Sequence, residues 1–298
     1  MLNDTLRERA GLLATIRNFF QTRNVLEVET PVLSKTGVCE PYLKNLTTNI
    51  SNQRYYLQTS PEFAMKRLLC AGSGSIYQIS KAFRDEEQGS LHNPEFTMLE
   101  WYRVGFDYHQ LMDEVESLVC SLMDVTEFSR ITYQQAFLQT VGIDPMRVSY
   151  TELENIAGSV TGQTTKNDLL DLILSDKVLP ALPQAVFIYD YPANQAAMAK
   201  IRNDVAERFE LVINGVELAN GYSELTDPVE QEQRFINENK QRETMGIKPM
   251  TIDQNFLAAM QQGLPECAGV ALGFDRLLML VCNKKILTDV LPFPIENA

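Results

Sequence analysis

The sequence predicts an α+β fold, a mostly antiparallel sheet flanked by helices, and three observations carry that expectation. Strand-like runs follow one another across short polar connections, as at 75–84 and 95–103, joined by the loop 85–94. A later pair, 207–219, turns on Asn214-Gly215, the strongest short hairpin signal. Helical patterns flank these runs, an order that suggests an α+β domain rather than a doubly wound parallel one.

Element by element, Leu6, Leu13, Ile16 and Phe20 fall at helical spacing, so residues 5–21 are expected as an amphipathic helix. Residues 25–29 alternate up to Pro31, which lacks the N–H a ladder needs. A strand at 55–59 comes next. Ser60-Pro61-Glu62, apolar residues and then Gly72 mark a helix over 61–71. After the pair 75–84 and 95–103, Asp107 caps a helix to about 123. In 130–183, Thr151 and Glu154 fit a capping box and 168–174 is helical in pattern. That stretch is expected as a mainly helical insertion within a single domain spanning 1–298. Residues 186–189 return to strand. Beyond the hairpin, Asp227-Pro228 opens a long charged helix ending near Gly246. A glycine-spaced strand, 269–273, then runs into a helix over 275–281.

The 298 residues are 45% apolar and 22% charged, ordinary for a globular chain and enough for one large domain or two smaller ones. A formal net charge of −13 repels phosphate backbones and argues against a general nucleic-acid binder. Cys39, Cys70, Cys120, Cys267 and Cys282 are scattered and form no CxxC pair. They read as reduced, mostly buried thiols. Only two histidines occur, too few for a His-rich metal site. No signal-type segment opens the chain, and the apolar run 277–282 is far too short to cross a bilayer. A soluble, cytoplasmic protein without a membrane partner is expected.

Chemistry concentrates in Phe83-Arg84-Asp85-Glu86 and in His92-Asn93-Pro94-Glu95-Phe96, which continues through Glu100, Trp101 and Tyr102. Two strands bring a guanidinium, acids and an aromatic plane around one loop. The planar fork of arginine binds a carboxylate or phosphate by two hydrogen bonds. The hairpin carries a second set. With Asn214-Gly215 as a two-residue turn, Glu210 is expected opposite Ala219 and Val212 opposite Glu217. Glu210 and Glu217 then share a face as diagonal neighbours, about 7–8 Å apart. Such acids can hold a Mg²⁺ that also bridges phosphates; the same spacing suits two solvated strand glutamates.

The string around Arg84 closely resembles motif 2 of class II aminoacyl-tRNA synthetases, of the lysyl type. Phe20 through Pro31, with Glu27-Val28-Glu29-Thr30-Pro31, resembles motif 1, the family's dimer interface, and Gly269-Val270-Ala271-Leu272-Gly273-Phe274-Asp275-Arg276 resembles motif 3. Asp289-Val290-Leu291-Pro292-Phe293-Pro294 is similar to the lysyl enzymes' ending. The likeness covers 6–129 and 186–295.

The resemblance implies a homodimeric, ATP- and Mg²⁺-dependent ligase that activates a lysine-like amino acid as its adenylate. Arg84 would bind the α-phosphate and the amino acid's carboxylate and act in catalysis. Glu86 and Asn93 would contact the nucleotide, Phe96 would stack on adenine, and His92 would approach the terminal phosphates. Asp85, Glu217, Leu218, Gly273 and Arg276 complete the ATP site, with Glu210 and Glu217 as metal ligands. Ser60, Pro61 and Glu62 would lie near the substrate amino group, Asn220 near its carboxylate, and Glu100, Tyr102 and Glu224 around its side chain. Buried carboxylates are costly without a cation, so this pocket asks for an amine. An aspartyl-type pocket would need basic residues, and 221–225 offers none. Ala271 stands where lysyl enzymes usually have glycine, and its methyl group favours a displaced amino group, as in a β-amino acid.

Lysyl-tRNA synthetases carry an anticodon-binding barrel before motif 1, whereas here the motif 1 helix begins almost at Met1. The expectation is therefore that tRNA is not the main acceptor. The chain resembles the free-standing lysyl-synthetase paralogues, a ligase family that transfers (R)-β-lysine from its adenylate to a lysine of elongation factor P. The alternatives are a compact lysyl-tRNA synthetase and a non-catalytic amino-acid-sensing paralogue.

Overall fold

A computed structural model describes residues 2–85, 88–158 and 164–298. Helix α1 (Leu2–Gln21) leads into strands β1 (Leu26–Glu27), β2 (Leu33–Ser34), β3 (Thr47–Ile50) and β4 (Gln53–Leu57). Helix α2 (Glu62–Cys70) precedes the long pair β5 (Ile76–Phe83) and β6 (Glu95–Val104), and α3 (Tyr108–Leu122) follows. Then come β7 (Ser129–Thr132), α4 (Tyr133–Thr140), α5 (Tyr150–Ala157) and α6 (Lys166–Ile173). Strands β8 (Ala185–Pro192), β9 (Ile201–Arg202), β10 (Val205–Ile213) and β11 (Val216–Ser223) lead to α7 (Pro228–Thr244) and α8 (Gln254–Gly263). Strand β12 (Cys267–Gly273) and α9 (Phe274–Val281) close the series.

The main sheet has the order β1-β5-β6-β12-β11-β10-β8-β7, with β9 paired to β10, and a second sheet has the order β2-β4-β3. Among the described residues only β1·β5 and β7·β8 are parallel. The fold is the expected α+β class.

Directly paired residues in a sheet project to the same side, so the register assigns each face. Tyr77, Leu99, Trp101, Val270, Leu272, Phe209 and Leu211 share one face and form the main core. Helix α1 covers it with Leu12, Ile16, Phe19 and Phe20, α3 with Leu111, Val115 and Leu118, and α9 with Phe274, Leu277 and Leu278. The other face carries apolar cover only at its two sides. At one, α4, α5 and α6 pack on Val186, Ile188 and Val212. At the other, α2 and α8 pack around Ile76 and Tyr102. Between these clusters the sheet is left open, and its polar residues are exposed to a cavity.

Several boundaries depart from expectation for physical reasons. Helix α1 buries Leu12 and Ile16, whereas Leu6 is 41% exposed. The strand expected at 25–29 shrinks to two residues, since only Leu26 and Glu27 pair with β5. Ser149, not Thr151, caps α5 by accepting from the Glu152 N–H. Helix α8, unforeseen, starts where Asp253 accepts from the Phe256 N–H. Of the cysteines only Cys39 and Cys267 are buried; Cys120 is exposed. Among the described residues no helix is long and apolar enough to cross a membrane.

Candidate active site

Two rungs of the sheet lay out the open face. One runs Gln78, Glu100, Ala271, Asn220, Glu210 across β5, β6, β12, β11 and β10. The next runs Ile76, Tyr102, Gly269, Tyr222, Arg208. All but Gln78 and Ile76 at the β5 edge floor a cavity of about 1010 Å³, walled by α2, α6 and α7 and by the loop before β3. Of the site residues expected from the sequence, all but two line it. Asp85 is exposed and lies off the wall, and Glu86 falls outside the described residues.

Arg84 follows β5, its N–H bonded to Pro94 O at 2.9 Å. Its guanidinium lies 5.1 Å from the Phe96 ring centroid, within cation–π range. Arg276 on α9 donates to Glu217 O at 2.8 Å and to Leu91 O at 3.3 Å. Its third contact is His92 Nε2, at 2.8 Å. A guanidinium only donates, so His92 Nε2 is the acceptor. Three cationic or polar groups thus converge on one end of the cavity, a geometry suited to polyphosphate. Asn93 lines the cavity, and its side-chain amide also donates to Glu95 O at 2.6 Å and accepts from Ile295 N–H at 3.1 Å. It ties this loop to the C-terminal segment.

The hairpin turn has Asn214 and Gly215 both at positive φ, 54° and 76°, as a two-residue type I′ turn requires. Val212 faces Glu217 as expected, but Glu210 faces Asn220, not Ala219. A β-bulge at Leu218 supplies the extra residue. Alternation past a bulge cannot be counted from the turn, which is why the simple pairing failed. Glu210 and Glu217 still share the cavity face. Glu210 is held by the Arg208 guanidinium and by Asn220 Nδ2 at 3.2 Å. Among the described residues no three His, Cys, Asp or Glu side chains form a metal cluster. Two carboxylates nevertheless fit Mg²⁺, which commonly takes one or two and fills its remaining positions with phosphate and water.

The acidic end is better ordered than the sequence suggested. Glu100, 2% exposed, accepts from Ser60 Oγ and from Tyr102 OH, each at 2.7 Å. Burial, helped by the nearby Glu62, pushes its carboxyl up to about 8. Glu224 at the end of β11 is 1% exposed, and burial pushes it up to about 7 against the pull of Lys66. Gly269 has no room for a side chain: a Cβ there would strike Glu224 Oε1 and the Tyr102 ring.

The sequence reading missed Lys66. It is 0% exposed on α2, with Nζ 2.6 Å from Glu62 Oε1 and 2.5 Å from Glu224 Oε2. Burial opposes its charge, but Glu224 and Glu62 outweigh burial and raise its pKa. Glu224 therefore does not wait unpaired for a guest; it already has a resident cation. The available signal was the i,i+4 spacing of Glu62 and Lys66. Arg208, also missed, sits two residues before Glu210 on the same face of β10, stacked 4.4 Å from the Tyr191 ring centroid.

Comparison with known proteins bears on this geometry. Residues 1–297 match the family model described as tRNA synthetases class II (D, K and N). A relative from Vibrio vulnificus, named elongation factor P–(R)-β-lysine ligase, is 48% identical, the match covering 99% of this chain and 97% of the relative. Relatives of the same name from Pseudoalteromonas translucida and Yersinia pestis are 47% and 44% identical, covering 99% and 98% of this chain and 96% and 95% of their own lengths.

Proposed function

The chain belongs to the class II tRNA synthetase family (D, K and N), and from that premise we propose that it is an ATP-dependent ligase that activates (R)-β-lysine and transfers it to a lysine of elongation factor P. The observation carrying this is the meeting, in one cavity, of a guanidinium end built from Arg84 and Arg276 and an acidic end built from Glu62, Glu100 and Glu224. The near full-length likeness to relatives named for that ligation supports the choice of amino acid and acceptor.

In the first step the amino acid's carboxylate oxygen attacks the α-phosphorus of ATP and the bond to pyrophosphate breaks. Arg84 holds the reacting carboxylate and phosphate together and offsets the growing charge, so no protein nucleophile is needed. Arg276 and His92 hold the departing phosphates. Glu210 and Glu217 would hold Mg²⁺, which neutralises phosphate charge when bound. In the second step the acceptor amine attacks the adenylate's carbonyl carbon and AMP leaves. Three carboxyl groups against the single ammonium of Lys66 leave two acids for the guest's two amino groups. The Ala271 methyl lies on the same rung as Glu100 and Asn220, between the side-chain pocket and the carboxylate end. There it favours an amino group displaced by one carbon. Exposed Leu26, Val32 and Leu33, 56%, 37% and 40% accessible, support a homodimer through the motif 1 region. Modification of elongation factor P, the proposed acceptor, supports a cytoplasmic site of action.

The test is intact-mass measurement of elongation factor P after incubation with the enzyme, Mg²⁺-ATP and (R)-β-lysine. A gain of one β-lysyl residue is expected. An unchanged mass beside a working ligase, or charging of tRNA in its place, contradicts the proposal.

The raised Glu100 carboxyl gives a pH dependence. Below about 8 the empty site holds this group protonated, and a guest ammonium must displace the proton. The KM for the amino acid is therefore expected to fall by up to about tenfold per pH unit between roughly 6 and 8 and then level off. The stability contribution has the matching sign: it is fully present below the ordinary carboxyl value and is lost as pH rises through about 8. Amino-acid-dependent ATP–pyrophosphate exchange at saturating ATP measures the KM; a flat profile would show that Glu100 is already ionised.

A further inference from the structure

We propose that Lys66 is a positioning residue for amino-acid recognition: its ammonium, anchored by Glu62, grips one oxygen of Glu224 and so presents the other to the amine of the guest. The proposal rests on the reading that a diamino acid occupies the cavity.

Lysines rarely lie fully buried, because the flexible stem can carry the charge to water. Lys66 does not reach water: it is 0% exposed, although it sits on α2 at the cavity's side. It is absent from the cavity lining, whereas Glu62, Glu100 and Glu224 all belong to it. The ammonium thus approaches its partners from behind, and a guest meets carboxyl groups rather than a lysine. Glu224 is divided between the two sides. Its Oε2 lies 2.5 Å from Lys66 Nζ, while its Oε1 stands over Gly269 against the Tyr102 ring. Glu100 is oriented separately, by Ser60 and Tyr102.

A simple structural ion pair would match one ammonium with one carboxylate. Here one ammonium serves two acids, Glu62 and the buried Glu224, with the protonated Glu100 beside them, so the empty site keeps one negative charge in excess. That surplus is costly unless a cation arrives. Lys66 therefore does two things at once. It removes part of the cost of keeping the acids together, and it fixes the direction from which Glu224 can accept a hydrogen bond. Without it Glu224 could turn away from the cavity, and the guest would have to reorder the side chain on binding.

The test is a double-mutant cycle read in ATP–pyrophosphate exchange, with separate KM values for amino acid and ATP. In the wild-type background, Lys66→Met is expected to raise the amino-acid KM by about tenfold or more, as for breaking a buried charge pair, with the ATP KM within about twofold. In the Glu224→Gln background the same substitution is expected to cost less than about threefold, because the oxygen it positions has lost its charge. The double variant loses one charge of each sign, so it carries the test even if Lys66→Met alone folds poorly. Equal costs in both backgrounds, or amino-acid and ATP KM rising together, would reduce Lys66 to a structural clamp and overturn the proposal. Wild-type enzyme is the control: if it exchanges with no diamino acid, the function itself fails. If it exchanges and Lys66→Met matches it, only this inference fails.

Discussion

Replacing Arg84 by alanine is expected to lower amino-acid-dependent ATP–pyrophosphate exchange by about 10³-fold or more, the scale of losing a preorganised charged donor. The chemistry joins two anions, a carboxylate and a triphosphate, and their repulsion is the main obstacle. Arg276 is already engaged with His92 Nε2 and with Glu217 O, so neither Arg276 nor His92 substitutes for Arg84 at the reacting centre. The fold should persist, because the backbone N–H of residue 84 keeps its bond to Pro94 O. Exchange rates and a thermal melt, measured on the same preparation, check this. A folded variant with normal exchange would remove Arg84 from the reaction.

Glu224→Gln is expected to raise the amino-acid KM by about 10–100-fold, the loss of a charge-assisted hydrogen bond worth about 1.5–3 kcal/mol. The amide is close in shape to the carboxyl, so the packing over Gly269 and against Tyr102 should be kept. Lys66 would retain Glu62 as its partner. The nucleotide end is built on other elements, the motif 2 loop and α9, so the KM for ATP should move by less than about twofold, as for sites without shared partners. Parallel determination of both constants decides the matter. A shared rise would mean that Glu224 supports the cavity as a whole rather than the amine.

Much of this was legible in one sequence because the chemistry sits on regular strands. Alternation puts Glu100 and Tyr102 on one face of β6 and Trp101 on the other, and no long-range information is needed to see it. Asn214-Gly215 fixed the hairpin for the same local reason. The failures are also physical. The bulge at Leu218 inserts a residue that no pattern of polarity announces, so the partner of Glu210 was misassigned. Asn93 has a bond that no local pattern announces, its Oδ1 accepting from the Ile295 N–H 202 positions away. Lys66 was overlooked because a lysine on a helix is ordinarily a solvated surface residue. Its burial depends on Glu224, which reaches it from a strand far along the chain. Asp275, in motif 3, is likewise engaged by Arg9 and by the Thr97 N–H, each at 2.6 Å, a contact between α1, β6 and α9 that only the fold reveals.

The most direct measurement of the central claim, that a phosphate-binding guanidinium end and an amine-binding acidic end act together in one cavity, is ATP–pyrophosphate exchange with α-lysine and with each enantiomer of β-lysine in turn. Exchange strictly dependent on the amino acid, with the highest kcat/KM for (R)-β-lysine and none for norleucine, which lacks the terminal amine, is the expected result. Equal exchange with norleucine, or exchange with no amino acid at all, would contradict it.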